Sequence, residues 1–419
     1  MIRPVAGTIA TRVLVMIMNL GVIMLAGHAM GARGLGDISL VVLAITFIML
    51  LANVIGGGAI TYLLPRHRLG RLLLPSYCWA LLVSVIAFFI VDAIDITPEG
   101  TELQVAILAF IQSIYTIHFN ILLGRQRIDL INVLQLLHAI VLLAVFAFLL
   151  NGKTDPDVFD YVGSAYAAFT TTAIGSVIAL LSLKRVDPID AGGAVLPVML
   201  RQGGFIQAAN FLQLLNYRLV YYLLERGQGL AALGIYSVGN QLAESAWLGP
   251  KSIGSVLYGK VSNTNDEIES QRLTILAAKA ALAMAIVVLA AIVLVPDRVF
   301  QWVFGSEIQG ITQLVLLLSP GIVAMSVSQA LSHYFSGTGR NIHNVIGSGL
   351  GVIVTLILGP WLVPEFGASG AAITASLAYS ANVIYQAFYF LITTRTPWSF
   401  FLPNAEDIGR IRMLIKRIR

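Results

Sequence analysis

The chain has 419 residues, of which 58% are hydrophobic and 11% are charged, and its mean hydropathy is +0.85. Soluble proteins average about 25% charged residues, so this composition excludes an ordinary soluble domain and indicates an integral membrane protein. The formal net charge is +5, from 26 Lys and Arg residues against 21 Asp and Glu residues. Because Cys78 is the single cysteine, an internal disulfide bond is excluded.

Apolar runs long enough to cross a bilayer follow one another along almost the whole chain. A spanning helix needs about 20 mainly apolar residues. Run length and the positions of glycine, proline and charged residues therefore predict an all-α membrane protein with about twelve spans. Their predicted bounds are 7–27, 37–64, 72–92, 103–123, 130–150, 160–183, 197–224, 230–258, 273–295, 311–335, 342–363 and 367–392.

The distribution of basic residues predicts the orientation, because Lys and Arg near the ends of spans remain on the cytoplasmic side. With both termini inside, and with the cytoplasmic ends of the spans counted as part of the cytoplasmic segments, 21 of the 26 basic residues fall in cytoplasmic segments. Arg218 falls within a span, and the four outer ones are Arg33, Lys153, Arg226 and Arg298. The positive net charge is thus an orientation signal and does not call for a nucleic-acid partner.

Weak repeats recur in the same order in the two halves of the chain. The segment 34–39 parallels 232–237, and 163–170 parallels 367–374, each pair being six predicted spans apart. An even offset keeps both halves in one orientation and predicts a pseudo-twofold axis along the membrane normal. We therefore expect two six-helix lobes around a central cavity. The predicted divisions are 1–196, 197–402 and a basic amphipathic cytoplasmic tail over 403–419.

Arg218 stands about seven residues inside the outer end of the seventh predicted span. A charge within the bilayer costs about 2.5 kcal/mol or more, which makes Arg218 a candidate functional residue. One interpretation is that it lines a cavity and holds an anion; the other is that it extends outward to Glu225. The helical face that it shares also carries Gln207, Asn210, Tyr217, Tyr221 and Tyr222.

Glu244 lies near the middle of the eighth predicted span, on one stripe with Ser237, Asn240 and Lys251. A carboxyl group there either lines the cavity and titrates or forms an internal pair with Lys251, Arg218 or another basic group. Both interpretations remain open, and they are compatible, because protonation of the acid would release the base.

Other features of the sequence are of lesser weight. Arg33 and Asp37 are expected to close the outer loop and cap the second span. The glycine-rich run 347–351 imitates a nucleotide-binding loop, but it lies inside a predicted span without a preceding strand, which favours close helix packing. No Walker lysine loop, Cys–His cluster or nucleophile elbow appears, so no catalytic residue, metal site or cofactor is predicted.

Several short segments together form a recognisable pattern: Asn216-Tyr217-Arg218, Leu233 to Val238, Leu242-Ala243-Glu244, Ser336 to Arg340, Gly367 to Ala372 and Phe401 to Asp407. These segments resemble the polysaccharide-biosynthesis flippases of the multidrug/oligosaccharidyl-lipid/polysaccharide exporter superfamily, which act on O-antigen and exopolysaccharide precursors. One departure is Val220, which stands where that family often has an acidic residue.

The resemblance implies a secondary transporter in the bacterial cytoplasmic (inner) membrane. It would flip an undecaprenyl-pyrophosphate-linked oligosaccharide from the inner to the outer leaflet by alternating access, coupled to H⁺ or Na⁺, among membrane lipids and with a glycan polymerase as partner. Glu244 would couple the ion. The expected substrate-binding residues are Arg218, Asn210, Tyr217, Tyr221, Asn240, Lys251, Arg33 and Arg340.

Two alternatives remain. A cation or drug antiporter of the same superfamily would need an acidic, aromatic cavity, whereas the expected lining here is basic. A membrane enzyme of glycan assembly would be expected to carry a large outer loop. The longest outer connections, 92–102 and 151–160, are short and acidic, so we predict that the chain is not an enzyme.

Overall fold

The computed structural model describes residues 2–57, 60, 63–64, 67–94, 96–125, 127–183, 195–261 and 266–397. Within these residues, the side chains of 2–10, 202, 205, 206, 209, 255 and 259 are not described. The predicted basic tail over 403–419 falls outside the described ranges. Every regular element in those ranges is a helix, which confirms the predicted all-α class.

The described ranges form twelve helices. Eight of them are long and apolar enough to cross a membrane. Two of the eight, the first and the last, each cover two predicted spans. The helices are α1 (Ile2–Gly56), α2 (Leu69–Ile94), α3 (Glu102–Gly124), α4 (Ile128–Leu150), α5 (Val158–Leu181), α6 (Val195–Gln228), α7 (Leu230–Glu244), α8 (Leu248–Val261), α9 (Glu267–Val293), α10 (Asp297–Phe304), α11 (Ile311–Gly337) and α12 (Ile342–Thr394).

The loop predicted between the first and second spans is replaced by a break at one residue. Helix α1 continues to Gly56 and departs from helical geometry at Gly31, where φ is 66° and ψ is −166°. Glycine adopts such a left-handed φ without a Cβ clash. Helix α12 breaks in the same way at Gly367, with φ 57° and ψ −133°. The run-length prediction was wrong here because one glycine turns the chain without polar loop residues.

The eighth predicted span, 230–258, is not one continuous α-helix. Helix α7 ends at Glu244, a 3-10 turn follows over Ser245–Trp247, and α8 begins at Leu248. Pro250 lies just after this turn and has no backbone N–H to donate to the preceding turn of helix. The predicted span is therefore interrupted, and the interruption falls beside the candidate acid.

Two compact units are present. The first comprises Met1–Phe211, Leu230–Gly234 and Gln301–Ile308, and the second comprises Leu212–Gly229, Ile235–Phe300 and Gln309–Arg419. The predicted lobe boundary at residue 196 remains a prediction.

Close contacts at glycines hold the bend of α1 at Gly31, which we call the elbow, within the first unit. A Cβ atom on Gly234 would overlap the carbonyl oxygen of Ala32, and one on Gly36 would overlap that of Leu230. A Cβ atom on Gly27 would overlap the carbonyl oxygen of Phe304. We call these contacts the glycine seam (Gly27, Gly36 and Gly234). Side chains larger than hydrogen are excluded there because backbone meets backbone.

Helix packing in the second unit uses glycine in the same way. A Cβ atom on Gly347 would overlap the Asn382 amide oxygen, and one on Gly351 would overlap the Asn216 amide oxygen. The glycine-rich run 347–351 therefore packs helices together, as the sequence predicts, and it lies inside α12 rather than in a nucleotide-binding loop.

The connection before α11 is ordered by one carboxylate. Asp297 accepts hydrogen bonds from the backbone N–H groups of Gly310 (2.7 Å) and Thr312 (2.9 Å). Partial burial alone would raise the pKa of the Asp297 carboxyl, but these hydrogen bonds hold its pKa below the ordinary value. The carboxylate therefore stays ionised and satisfies N–H groups at the start of α11.

Candidate binding site in the second unit

Arg218, on α6, forms a two-point ion pair with Glu244, at the end of α7. Its Nη1 donates to Oε1 of Glu244 at 2.7 Å and its Nη2 donates to Oε2 at 2.9 Å. Of the partners considered from the sequence, Glu244 is thus the one that the structure shows for Arg218, in place of Glu225. The two side chains remain 24% and 18% exposed, so a ligand could reach them.

Asn240 positions the carboxylate from one turn earlier on α7. Its Nδ2 donates to Oε1 of Glu244 at 2.8 Å and to the Tyr221 hydroxyl at 3.2 Å. That hydroxyl also accepts from Nη1 of Arg218 at 3.0 Å. Asn240 is fully buried, and no described residue hydrogen-bonds to its Oδ1. We call these four residues the Arg218 cluster (Arg218, Tyr221, Asn240 and Glu244).

Aromatic rings pack on one side of the Arg218 cluster. The Tyr217 ring lies 5.3 Å from the Trp247 ring and 5.5 Å from the Tyr379 ring, measured between centroids. Trp247 is held in place because its Nε1 donates to the carbonyl oxygen of Ile322 at 3.1 Å. Apolar walls lower the local dielectric constant, which strengthens the ion pair and makes an unmatched charge costly.

Three other predicted site residues in this unit have their own contacts. The Tyr217 hydroxyl accepts from Nε2 of Gln213 at 3.0 Å. Lys251 places its Nζ 5.5 Å from the Trp247 ring centroid, within cation–π range. Arg340 lies between α11 and α12 and approaches Glu267 at 3.8 Å. Lys251 is therefore joined to the aromatic side of the cluster through Trp247, whereas Arg340 pairs with an acid at the start of α9.

The remaining two predicted residues belong to the first unit. Asn210 is exposed and donates to Oε1 of Gln207 at 3.2 Å. Arg33 is exposed and follows the Gly31 break. The expectation that Asp37 caps the second span was wrong: Glu307 accepts the backbone N–H of Ala32 at 2.9 Å, just after the break. A distant acid takes the capping position because residues 301–308 pack against this elbow.

Sequence reasoning missed Trp247, Tyr379 and Glu307. Trp247 follows Glu244 by three residues, so helical spacing places it beside the acid and could have indicated it. No local signal indicates Tyr379 or Glu307, because both approach their partners from elements far away in sequence.

The comparisons with solved structures identify the fold. A multidrug resistance MATE family transporter of the MOP superfamily in an inward-facing conformation matches with a TM-score of 0.68 and 17% identity, over 91% of this chain and 96% of that one. The lipid II flippase MurJ in an inward closed conformation matches with a TM-score of 0.71 and 13% identity, over 96% of this chain and 89% of that one. This chain has the fold of the MOP superfamily.

A third neighbour of this fold is a MOP superfamily transporter from Pyrococcus furiosus, with a TM-score of 0.60 and 16% identity over 95% of each chain. That structure is described as having a binding pocket of reversed polarity that suggests a different function. No protein-family model matches the sequence, and no curated protein matches it. At 17%, 13% and 16% identity, these likenesses are likenesses of fold.

Proposed function

We propose that the protein is a secondary transporter that flips a lipid-linked oligosaccharide, carried on undecaprenyl pyrophosphate, from the inner to the outer leaflet of a bacterial cytoplasmic membrane. The observation that supports this most is the guanidinium of Arg218, partly exposed and held in a two-point contact with a carboxylate inside a MOP fold. A guanidinium in that geometry is also the group that best binds phosphate oxygens.

The chemistry of the site suits the parts of such a substrate. The pyrophosphate is drawn to Arg218, and Lys251 offers a second cation next to Trp247. Tyr217 is partly exposed and offers a sugar its ring and hydroxyl, while Tyr221 and Asn240, which are buried in this conformation, hold Arg218 and Glu244 in place and are proposed to reach the sugar only when the ion pair opens. The polyprenyl chain stays in the lipid, where it is as stable as any other hydrocarbon. Arg33, Asn210 and Arg340 remain proposed contacts for other parts of the glycan.

The proposed mechanism is alternating access. The neighbour MurJ is a lipid II flippase, and the MATE neighbours occur in inward-facing and outward-facing conformations. A transporter of this kind exposes one binding site to one side of the membrane and then to the other by rocking of its lobes. We propose that Glu244 couples the cycle to H⁺ or Na⁺, because its carboxylate is the acid in direct contact with Arg218.

A cation or drug antiporter is the second candidate, and Glu244 is the observation that favours it. A carboxylate beside Tyr217, Tyr221 and Trp247 could receive an organic cation. Arg218 already neutralises this carboxylate, however, so a cation would have to displace a guanidinium that makes two charged hydrogen bonds.

Deletion of the gene, followed by extraction of the membrane lipids, tests the proposal. We expect an undecaprenyl-pyrophosphate-linked glycan to accumulate on the cytoplasmic side and to disappear when the gene is restored. The purified protein in vesicles should then move that lipid to the opposite leaflet. Unchanged lipid-linked glycans in the deletion strain, together with increased sensitivity to organic cations, would favour the antiporter.

A further inference from the structure

Glu244 occupies the anion site that a substrate phosphate would use. Its two oxygens bind the two terminal nitrogens of Arg218 at 2.7 and 2.9 Å, the same pairing that two phosphate oxygens make with a guanidinium. The protein therefore carries its own anion in this position. Any substrate that binds Arg218 through this fork must first displace the carboxylate.

Displacement from Arg218 leaves the ionised Glu244 side chain in surroundings that stabilise its charge only weakly. Among the described residues its other hydrogen-bond partner is the Asn240 amide, a single neutral donor at 2.8 Å, and Tyr217, the residue before Arg218, packs against the rings of Trp247 and Tyr379. A carboxylate that loses its guanidinium partner in such surroundings is strongly destabilised. An incoming group with one negative charge would thus take the place of the Glu244 carboxylate at Arg218 and leave that carboxylate without a counter-charge.

We infer that Glu244 is a specificity-determining residue that excludes singly charged lipid phosphates and admits only head groups of higher charge, such as a pyrophosphate. This inference rests on the proposed function. A pyrophosphate binds a guanidinium more strongly than a carboxylate does, because it brings more negative charge and more acceptor oxygens. It also brings a second negative charge that another basic residue, such as Lys251 beside Trp247, can balance, whereas a phosphodiester has only one charge.

Such a filter addresses a physical difficulty for any phosphate-binding site in a membrane. The substrate is scarce, and singly charged phospholipids such as phosphatidylglycerol surround the protein in large excess. An unpaired arginine would bind them by the same contacts. The Glu244 carboxylate must be displaced by any anion that binds Arg218, and this lowers the affinity for all of them. Only the more strongly binding anion still binds, because specificity depends on the difference between two binding free energies.

Binding to the purified full-length protein tests the inference. The probes are phosphatidylglycerol and undecaprenyl pyrophosphate without sugar, and bound lipid is measured by native mass spectrometry. Glu244→Gln keeps the shape of the side chain and removes its charge. We expect this variant to bind phosphatidylglycerol at least about tenfold more tightly than the original protein does, and to lose at least about tenfold in its preference for the pyrophosphate.

Glu225→Gln is the matched control. Glu225 lies on α6 seven residues after Arg218, so the variant removes one negative charge on the same helix without touching the ion pair. Its lipid preference should equal that of the original protein. If Glu244→Gln does not fold, Glu244→Asp replaces it: the shorter side chain keeps the charge but weakens the two-point contact, and we expect an intermediate gain in phosphatidylglycerol binding.

The outcomes separate the inference from the proposed function. If the original protein prefers the pyrophosphate but neither Glu244 variant gains affinity for phosphatidylglycerol, the filter is overturned and the flippase proposal stands. If Glu225→Gln gains as much as Glu244→Gln, the effect is one of general charge and the filter is again overturned. If the original protein shows no preference for the pyrophosphate, both proposals fail.

Discussion

Arg218 is a charged residue in apolar sequence, and its stability depends on residues from another helix. Glu244 supplies the opposite charge, the Tyr221 hydroxyl accepts a further hydrogen bond from Arg218, and the Asn240 amide donates one to Glu244. Truncation of one partner leaves the other without its counter-charge, which costs about 3–5 kcal/mol at full burial and less here, where both side chains are partly exposed. Mutation of Arg218 therefore affects stability and binding together, and an experiment has to separate them.

We predict that Arg218→Ala reduces glycan export by about 10- to 100-fold, the expected loss for a charge-assisted hydrogen bond. Arg218→Lys should recover only part, because an ammonium group lacks the planar fork. Export is measured at matched protein levels in the membrane. The double variant Arg218→Ala with Glu244→Gln should regain stability in a thermal unfolding assay but not export. Normal export by Arg218→Ala would contradict a role in binding the substrate.

We predict that Glu244→Gln slows export without weakening substrate binding, because a neutral side chain no longer competes for Arg218 but also can no longer take up and release a proton or a cation. The measurement is the export rate in vesicles under imposed pH or sodium gradients, with the original protein and the variant side by side. The original protein should respond to one of the two gradients, and the variant should not. An equal response in both proteins would remove Glu244 from the coupling step.

At the scale of the elements, the first unit is held together at the elbow of α1 by backbone contact. The glycine seam lets Ala32, Leu230 and Phe304 present carbonyl oxygens where a side chain would otherwise stand. Glu307 adds a hydrogen bond to the N–H of Ala32 at 2.9 Å. Because these contacts bring residues from both halves of the sequence to one elbow, they stabilise the particular conformation described here.

We predict that Gly234→Ala and Gly27→Ala each destabilise this conformation by about 1–3 kcal/mol, the usual cost of an added methyl group without space. Gly349→Ala is the control, because a Cβ atom there meets nothing within 4 Å. Alanine at that helical position should be neutral or slightly stabilising. Thermal unfolding of the purified protein in one detergent gives the comparison. Equal unfolding temperatures for all three variants would show that an added methyl group at the glycine seam does not lower the stability of the protein.

At the scale of the whole molecule, the helices form the fold of the MOP superfamily, while the orientation in the membrane rests on the distribution of Lys and Arg. The predicted outer connections carry four basic residues and the predicted cytoplasmic segments carry 21. Such a bias is typical of a bacterial membrane protein with both termini in the cytoplasm.

We predict that Thr154→Cys reacts with a membrane-impermeant thiol reagent added to intact cells, and that Asn341→Cys does not. Both positions are exposed, the first between α4 and α5 and the second just before α12. The native Cys78 is replaced by serine beforehand, because it is exposed. Permeabilised cells serve as the control, in which both cysteines should react. The reverse labelling pattern in intact cells would place the termini outside.

The sequence by itself determined that this is an all-α membrane protein, because the length of an apolar run is a local property that the bilayer thickness turns into a helix. It also singled out Arg218 and Glu244, because charge in an apolar run is visible without any structure. The contact between them, the break of α1 at Gly31, and the approach of Tyr379 and Glu307 were decided only by the tertiary structure. Each joins residues from different elements, and no local pattern specifies which of the available charges or glycines meets which partner once the helices pack.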